Sequence, residues 1–153
     1  MKKYLKVILL CLIGGFLYIC TELAWRGRTH WTMFFLGGVC AYLVGLINQN
    51  RRKCVPLVRQ GIIGSIIITT LEFFTGLIVN LWLEWDVWDY SNLPFNLCGQ
   101  ICLLYSILWF FFSIIIVLYD DELRNIIYKE EIRKGAVFYG SFRIFRKPVW
   151  ANL

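Results

Sequence analysis

GIIGSIIITTLEFFTGLIVNLWL, residues 61–83, is an apolar run interrupted by a single ionisable group, Glu72. Crossing about 30 Å of hydrocarbon takes roughly 20 helical residues, so this run predicts a transmembrane helix. Three further runs, 6–24, 31–47 and 97–119, meet or approach that length. The second is short, and it reaches across because Trp31 and Asn48 stand where aromatic and polar side chains suit the two interfaces. Of the 153 residues, 59% are apolar, gathered into runs rather than spaced as in a soluble core. The expected fold class is therefore an all-α integral membrane protein: a compact four-transmembrane-helix bundle over 1–119 and an amphipathic, basic cytoplasmic tail over 120–153.

Lys2 and Lys3 ahead of the run from Val7 to Tyr18 have the form of a secretory leader. No small-x-small cleavage pattern follows, and Tyr18 and Ile19 before Cys20 are bulky, so the segment is read as the first helix. Basic residues then set the orientation, because cationic loops stay on the cytoplasmic side. With the N-terminus inside, only Arg26 and Arg28 of the 16 Lys and Arg residues lie outside. The outer loop after the third helix carries Glu84, Asp86 and Asp89 and no basic residue. Both termini are accordingly expected in the cytoplasm of a cell whose inner membrane holds the protein. The net charge of +6 then follows from topology and contact with anionic membrane lipids, and requires no nucleic acid. Six cysteines without a CxxC make no disulfide framework when four fall inside the helical runs.

Past Tyr119, the acids Asp120, Asp121 and Glu122 suit the start of a new helix with Leu123, Ile126 and Ile127 on its apolar edge. The aromatics and cations between Val137 and Trp150 suit a headgroup layer as well as a plain solvated tail.

Helix association in lipid depends on close packing and interhelical hydrogen bonds, so small and polar residues mark the seams. The second helix carries Gly37, Ala41 and Gly45 at spacing four. The third carries Gly61, Ser65, Thr69, Glu72, Gly76 and Asn80, and the fourth Gly99, Cys102, Ser106 and Ser113. These three stripes are expected to face one another.

Glu72 lies eleven positions from either end of its run, near mid-depth. Charging a carboxylate there costs several kcal/mol unless a cation, hydrogen bonds or water stabilise it. With no Lys or Arg at that depth, the expected partners are Thr69, Thr75 and Asn80, in a proton-coupling or substrate-binding role or in a structural interhelical bond. Glu22 and Arg26, at i,i+4, can pair at the outer end of the first helix, and His30 falls at the next such step if the helix persists. The pair reads as an interfacial salt bridge or as the mouth of a polar path to Glu72. The segment 84–96 holds Asp86, Asp89, Tyr90 and Asn96 among tryptophans. It reads as an aromatic interfacial belt, or as a cap that binds a cation or substrate. There is no P-loop, GxSxG or HExxH, and one histidine without cysteines at metal spacing predicts neither zinc nor another cofactor. An enzyme is the weaker reading, although a membrane hydrolase on an Asp-Tyr or Glu-His pair stays open.

The stretch Glu22-Leu-Ala-Trp-Arg-Gly-Arg-Thr-His-Trp-Thr-Met-Phe-Phe-Leu-Gly-Gly38, the block Trp88-Asp-Tyr-Ser-Asn-Leu-Pro-Phe-Asn-Leu-Cys-Gly99 and Trp109 resemble the bacterial ABC-transporter type IV family of CmpB-like permeases. The resemblance implies a permease subunit of unspecified substrate. Because the chain has no nucleotide-binding motif, it also implies a cytoplasmic ATPase partner, with self-association to enlarge a four-helix unit. A secondary carrier or channel working through Glu72, and a lipid-binding accessory protein, remain the alternatives.

Overall fold

The computed structural model describes residues 2–47 and 55–128. Among the described residues four α-helices follow in order: α1 Lys2–Arg26, α2 Trp31–Leu46, α3 Leu57–Gly76 and α4 Leu103–Tyr128. A π-helical stretch, Leu77–Trp82, extends α3, and two strands of two residues, β1 Asn96–Leu97 and β2 Ile101–Cys102, precede α4. The fold is all-α in its architecture. Among the described residues three segments are long and apolar enough to cross a membrane: Tyr4–Arg26, Leu57–Trp82 and Leu103–Leu123, with mean hydropathies of 2.2, 2.1 and 2.1. The fourth helix, α2, is apolar but shorter; its 16 residues reach about 24 Å at helical rise.

Local signals explain where the helices stop. Gly27, at φ +66°, takes the left-handed conformation that ends a helix, and its N–H bonds back to Leu23 O at 3.0 Å. His30 then caps α2, its Nδ1 accepting from the Thr32 N–H. Histidine therefore belongs to the start of the second helix, and the first does not persist to carry it onto the Glu22 face. Pro56 stands before α3, where its missing N–H costs nothing.

Packing joins α1 mainly to α2 and α3 mainly to α4. This corrects the expected seam. Gly37 and Ala41 of α2 face α1 rather than α3: a Cβ on Gly37 would stand 2.5 Å from Tyr18 Cβ, and one on Gly14 would overlap Ala41 Cβ. The ladder continues to Gly45, which touches Leu10 and Asp120. Gly14 supplies the facing half, so two backbones meet where neither carries bulk. Between α3 and α4 the seam is polar instead. Ser65 Oγ donates to Ser106 O at 2.5 Å, and Thr69 Oγ1 donates to Ser106 Oγ at 3.1 Å.

The fourth helix also differs from expectation at both ends. It begins at Leu103 because 97–102 are held in a short hairpin, antiparallel with Asn96 opposite Cys102, in which Cys98 and Gly99 have positive φ. Gly99 is thus a turn residue rather than a helix-packing one. At the other end α4 continues through Asp120 and Asp121 without a new start. Both carboxylates are buried, and Asp120 meets the Lys6 ammonium at 2.7 Å. The headgroup-layer reading of 137–150 and the basic segment 51–53 lie outside the described residues.

Apolar and polar surfaces are distributed inside out. Phe16, Phe35, Ile66, Phe74, Ile107 and Phe111 are exposed, whereas Glu72, Gln60, Gln100, Ser113, Lys6 and Asp120 are buried. A protein folding in water makes the opposite choice.

Candidate functional site

Glu72, only 1% exposed, is the centre to which three separate elements converge. Its Oε1 accepts from Tyr18 Oη of α1 at 3.2 Å and from Tyr90 Oη of the loop after α3, also at 3.2 Å. Its Oε2 accepts from Trp109 Nε1 of α4 at 2.7 Å. No Lys or Arg forms an ion pair with it among the described residues. The expected partners are corrected: Thr69 bonds to Ser106, and Asn80 turns to the loop. The three donors are neutral, and two of them are hydroxyls that can also accept, so the set accommodates a carboxylate or a carboxylic acid.

Rings brace these donors. Tyr18 stacks on Trp109, with centroids 5.2 Å apart, and Tyr90 stacks on Tyr105 at 4.5 Å. The stacked pairs fix the ring planes, so each polar tip has a single direction to point.

Tyr90 reaches Glu72 because its loop turns inward. Val87, Trp88 and Tyr90 are buried, whereas Glu84, Asp86 and Asp89 are exposed. The segment is therefore a plug with an acidic outer rim rather than an interfacial belt along its whole length; of Trp82, Trp85, Trp88 and Tyr90, the first two are exposed as a belt requires and the last two are buried. Asn80 anchors the entry to this plug: its Oδ1 accepts from Val87 N at 2.8 Å and its Nδ2 donates to Gln100 Oε1 at 2.8 Å. Asn80 makes both bonds from within the π-helical stretch Leu77–Trp82, a local departure from α-helix frequent at functional sites. Gln100 in turn accepts Trp88 Nε1 on its backbone oxygen at 2.9 Å and packs over Gly76.

The outer part of the loop is tied by its own side chains. Asn96 Nδ2 donates to Ser91 O and Leu93 O, and Asn96 Oδ1 accepts from Gly99 N. Asp89 Oδ1 accepts from Ser91 N and Ser91 Oγ, and these two bonds hold its carboxyl below the usual aspartate value. A Cβ on Gly99 would fall 2.5 Å from Ser91 Oγ and 2.6 Å from Asp89 Oδ1, at a φ of +68°. Glycine is required there on both counts. Asp89 and Asn96 thus shape the loop, and Asp86 stands on the exposed rim.

Glu22 pairs with Arg26, and its Oε2 also accepts from Thr29 Oγ1 at 2.8 Å. Arg26 donates to Val87 O at 3.5 Å, which joins this pair to the plug. His30 is not part of it. Its ring lies against Trp31 and Trp85, with centroids at 5.3 and 5.4 Å. No cluster of three or more His, Cys, Asp or Glu able to hold a metal occurs among the described residues.

Sequence reasoning missed Tyr18, Trp109 and Gln100. A signal existed for Trp109, since an indole N–H well inside an apolar run needs an acceptor, and one carboxylate was available at that depth.

A groove of about 530 Å³ opens between α1 and α4, with Tyr18, Tyr90 and Trp109 in its wall and Glu22 and Arg26 at one end. Helices of membrane-crossing length, an apolar exterior and a buried polar centre define a membrane protein. Within that class, the chain belongs to the family described as "Putative ABC-transporter type IV", whose model matches residues 9–144. Comparison with curated proteins and with solved structures gave no match.

Proposed function

We propose that the protein is a multi-pass component of a bacterial inner-membrane transport system of the ABC type. In this reading all four helices cross the bilayer, with both termini cytoplasmic and the 84–100 plug on the outer face. The asymmetry of Lys and Arg supports the orientation. Family membership supports the transport role and association with an ATPase subunit. In this reading nucleotide hydrolysis belongs to the ATPase subunit, and the sequence, which carries no P-loop, is in keeping with that. Copies of the chain would pair to complete the permease.

The observation that carries the reading is the Glu72 centre. A buried carboxylate held by α1, α4 and the outer plug links helix position to closure of the external face. Movement of α1 away from α4 breaks its bonds to Tyr18 or Trp109, and opening of the plug breaks the one to Tyr90. Intramembrane ionisable residues characteristically serve such coupling or substrate contact.

Purification from the native host in mild detergent, with every associated protein identified, tests the role. Stoichiometric recovery of an ATPase is expected. Purification without one, together with flux in liposomes that Glu72→Gln abolishes, would replace this reading with a secondary carrier.

A further inference from the structure

The groove between α1 and α4 has features that the Glu72 centre does not require. Its volume, about 530 Å³, falls in the range of roughly 300–1,000 Å³ typical of small-molecule sites. Leu17, Thr21, Trp25, Leu104, Leu108 and Phe112 line it, and Thr21 bonds its hydroxyl to Leu17 O within its own helix. Behind them lie Tyr18, Tyr90 and Trp109. The polar atoms of these three are committed to Glu72, so the groove meets their ring carbons. Away from its charged end the groove thus offers mainly apolar surface, which suits a hydrocarbon chain.

One end is different. Glu22 and Arg26 stand there side by side, one charge of each sign. Val87 O accepts from Arg26 and so joins that end to the acidic rim, where Glu84, Asp86 and Asp89 are exposed, while Arg28 is the exposed cation two residues past Arg26. A molecule that fits must be apolar along its length and must end in a head bearing both charges, because the acidic rim repels a head with negative charge alone.

We propose that this groove is a lateral binding site for one zwitterionic phospholipid. An acyl chain lies along α1 and α4 against the donors of Glu72, the phosphate meets Arg26 and the ammonium meets Glu22. On the transport reading above, this lipid is the class of substrate; the site itself stands on the groove alone. A chain seated there touches Tyr18 and Trp109, so its arrival and departure are felt at the carboxylate.

The test uses the full-length protein in nanodiscs containing a phosphatidylethanolamine with a diazirine in one acyl chain, with adducts mapped by mass spectrometry. Adducts are expected to concentrate on Leu17, Leu104 and Leu108. Leu108→Trp, which fills the groove, is expected to lower their yield about tenfold, equivalent to 1.4 kcal/mol, while outward Ile107→Trp leaves it unchanged. Should Leu108→Trp fail to fold, Leu104→Trp at the same wall gives the same readout. Even labelling of all outward helix faces, or an undiminished yield in the filled variants, would overturn the site. Equal labelling by a phosphatidylglycerol probe would overturn the zwitterionic head. Groove-specific adducts in a protein that recovers no ATPase would remove the transport role and leave the lipid site standing.

Discussion

Two substitutions of Glu72 and one of Trp109 separate a hydrogen-bonded anchor from a merely tolerated acid. In Glu72→Gln one amide position is still an oxygen. It must turn toward Trp109 Nε1, which can only donate, and the amide N–H groups then donate to Tyr18 and Tyr90, whose hydroxyls reverse direction and accept. All three contacts survive, so the cost should stay within about 1 kcal/mol. In Trp109→Phe the 2.7 Å bond to Oε2 is lost and a buried acceptor loses its partner, which costs about 1–3 kcal/mol. Glu72→Ala removes the acceptor from three donors at once. Interhelical bonds in membrane proteins average about 0.6 kcal/mol and reach about 1.7, so the triple loss amounts to roughly 2–5 kcal/mol. Denaturant-driven unfolding in mixed micelles, followed by tryptophan fluorescence, measures the series. The expected order of stability is wild type and Glu72→Gln, then Trp109→Phe, then Glu72→Ala. Equal losses in Glu72→Gln and Glu72→Ala would refute the argument.

Other consequences follow from the packing and the loop. Gly14→Val places a side chain into Ala41 Cβ and beside Gly37 O at 2.8 Å, and should lower stability by about 1–3 kcal/mol in the same assay; an unchanged midpoint would mean α1 and α2 do not touch there. Lys6→Met and Asp120→Asn should each destabilise, and the double variant should cost less than their sum by about 0.5–3 kcal/mol, given the buried 2.7 Å pair. Strict additivity would show that the two side chains act independently. Asp89 has its carboxyl lowered from 3.8 by bonds from Ser91. A lowered folded-state value stabilises above the unfolded one and is lost as pH falls through the folded one. Amide-exchange protection across 88–99 should therefore persist at neutral pH and fade only below about pH 3.8, and Asp89→Ala should lack part of it throughout.

Much of this architecture can be read from periodicity and length. The runs around residues 6–24, 31–47 and 61–83 each correspond to a helix, because apolar length is a property of a segment by itself. Glu72 stands out for the same reason, as an acid in such a run. What escaped depends on pairs of segments. Gly37, Ala41 and Gly45 announce a close approach without saying to which helix, and Gly14 on α1 is the partner. The donors Tyr18 and Trp109 come from helices far away in sequence, so no local pattern joins them to Glu72. The acids 120–122 resemble a helix start, yet the chain continues unbroken because Lys6 meets Asp120 across the bundle. In the 84–100 loop, composition indicates a belt, whereas hydrogen bonds donated to Asn80 and Gln100 and one donated by Arg26 draw Val87 and Trp88 inward.

The most direct test labels single cysteines along this loop, in an otherwise cysteine-free protein, with a membrane-impermeant maleimide added to the outside of intact cells. Cysteines at 86 and 89 should react and one at 87 should resist, and the resistance at 87 should disappear in Glu72→Ala. Labelling of 86 and 89 only after the cytoplasmic side is opened, or equal reactivity along the loop with Glu72 intact, would contradict an outer plug locked to a carboxylate inside the bilayer.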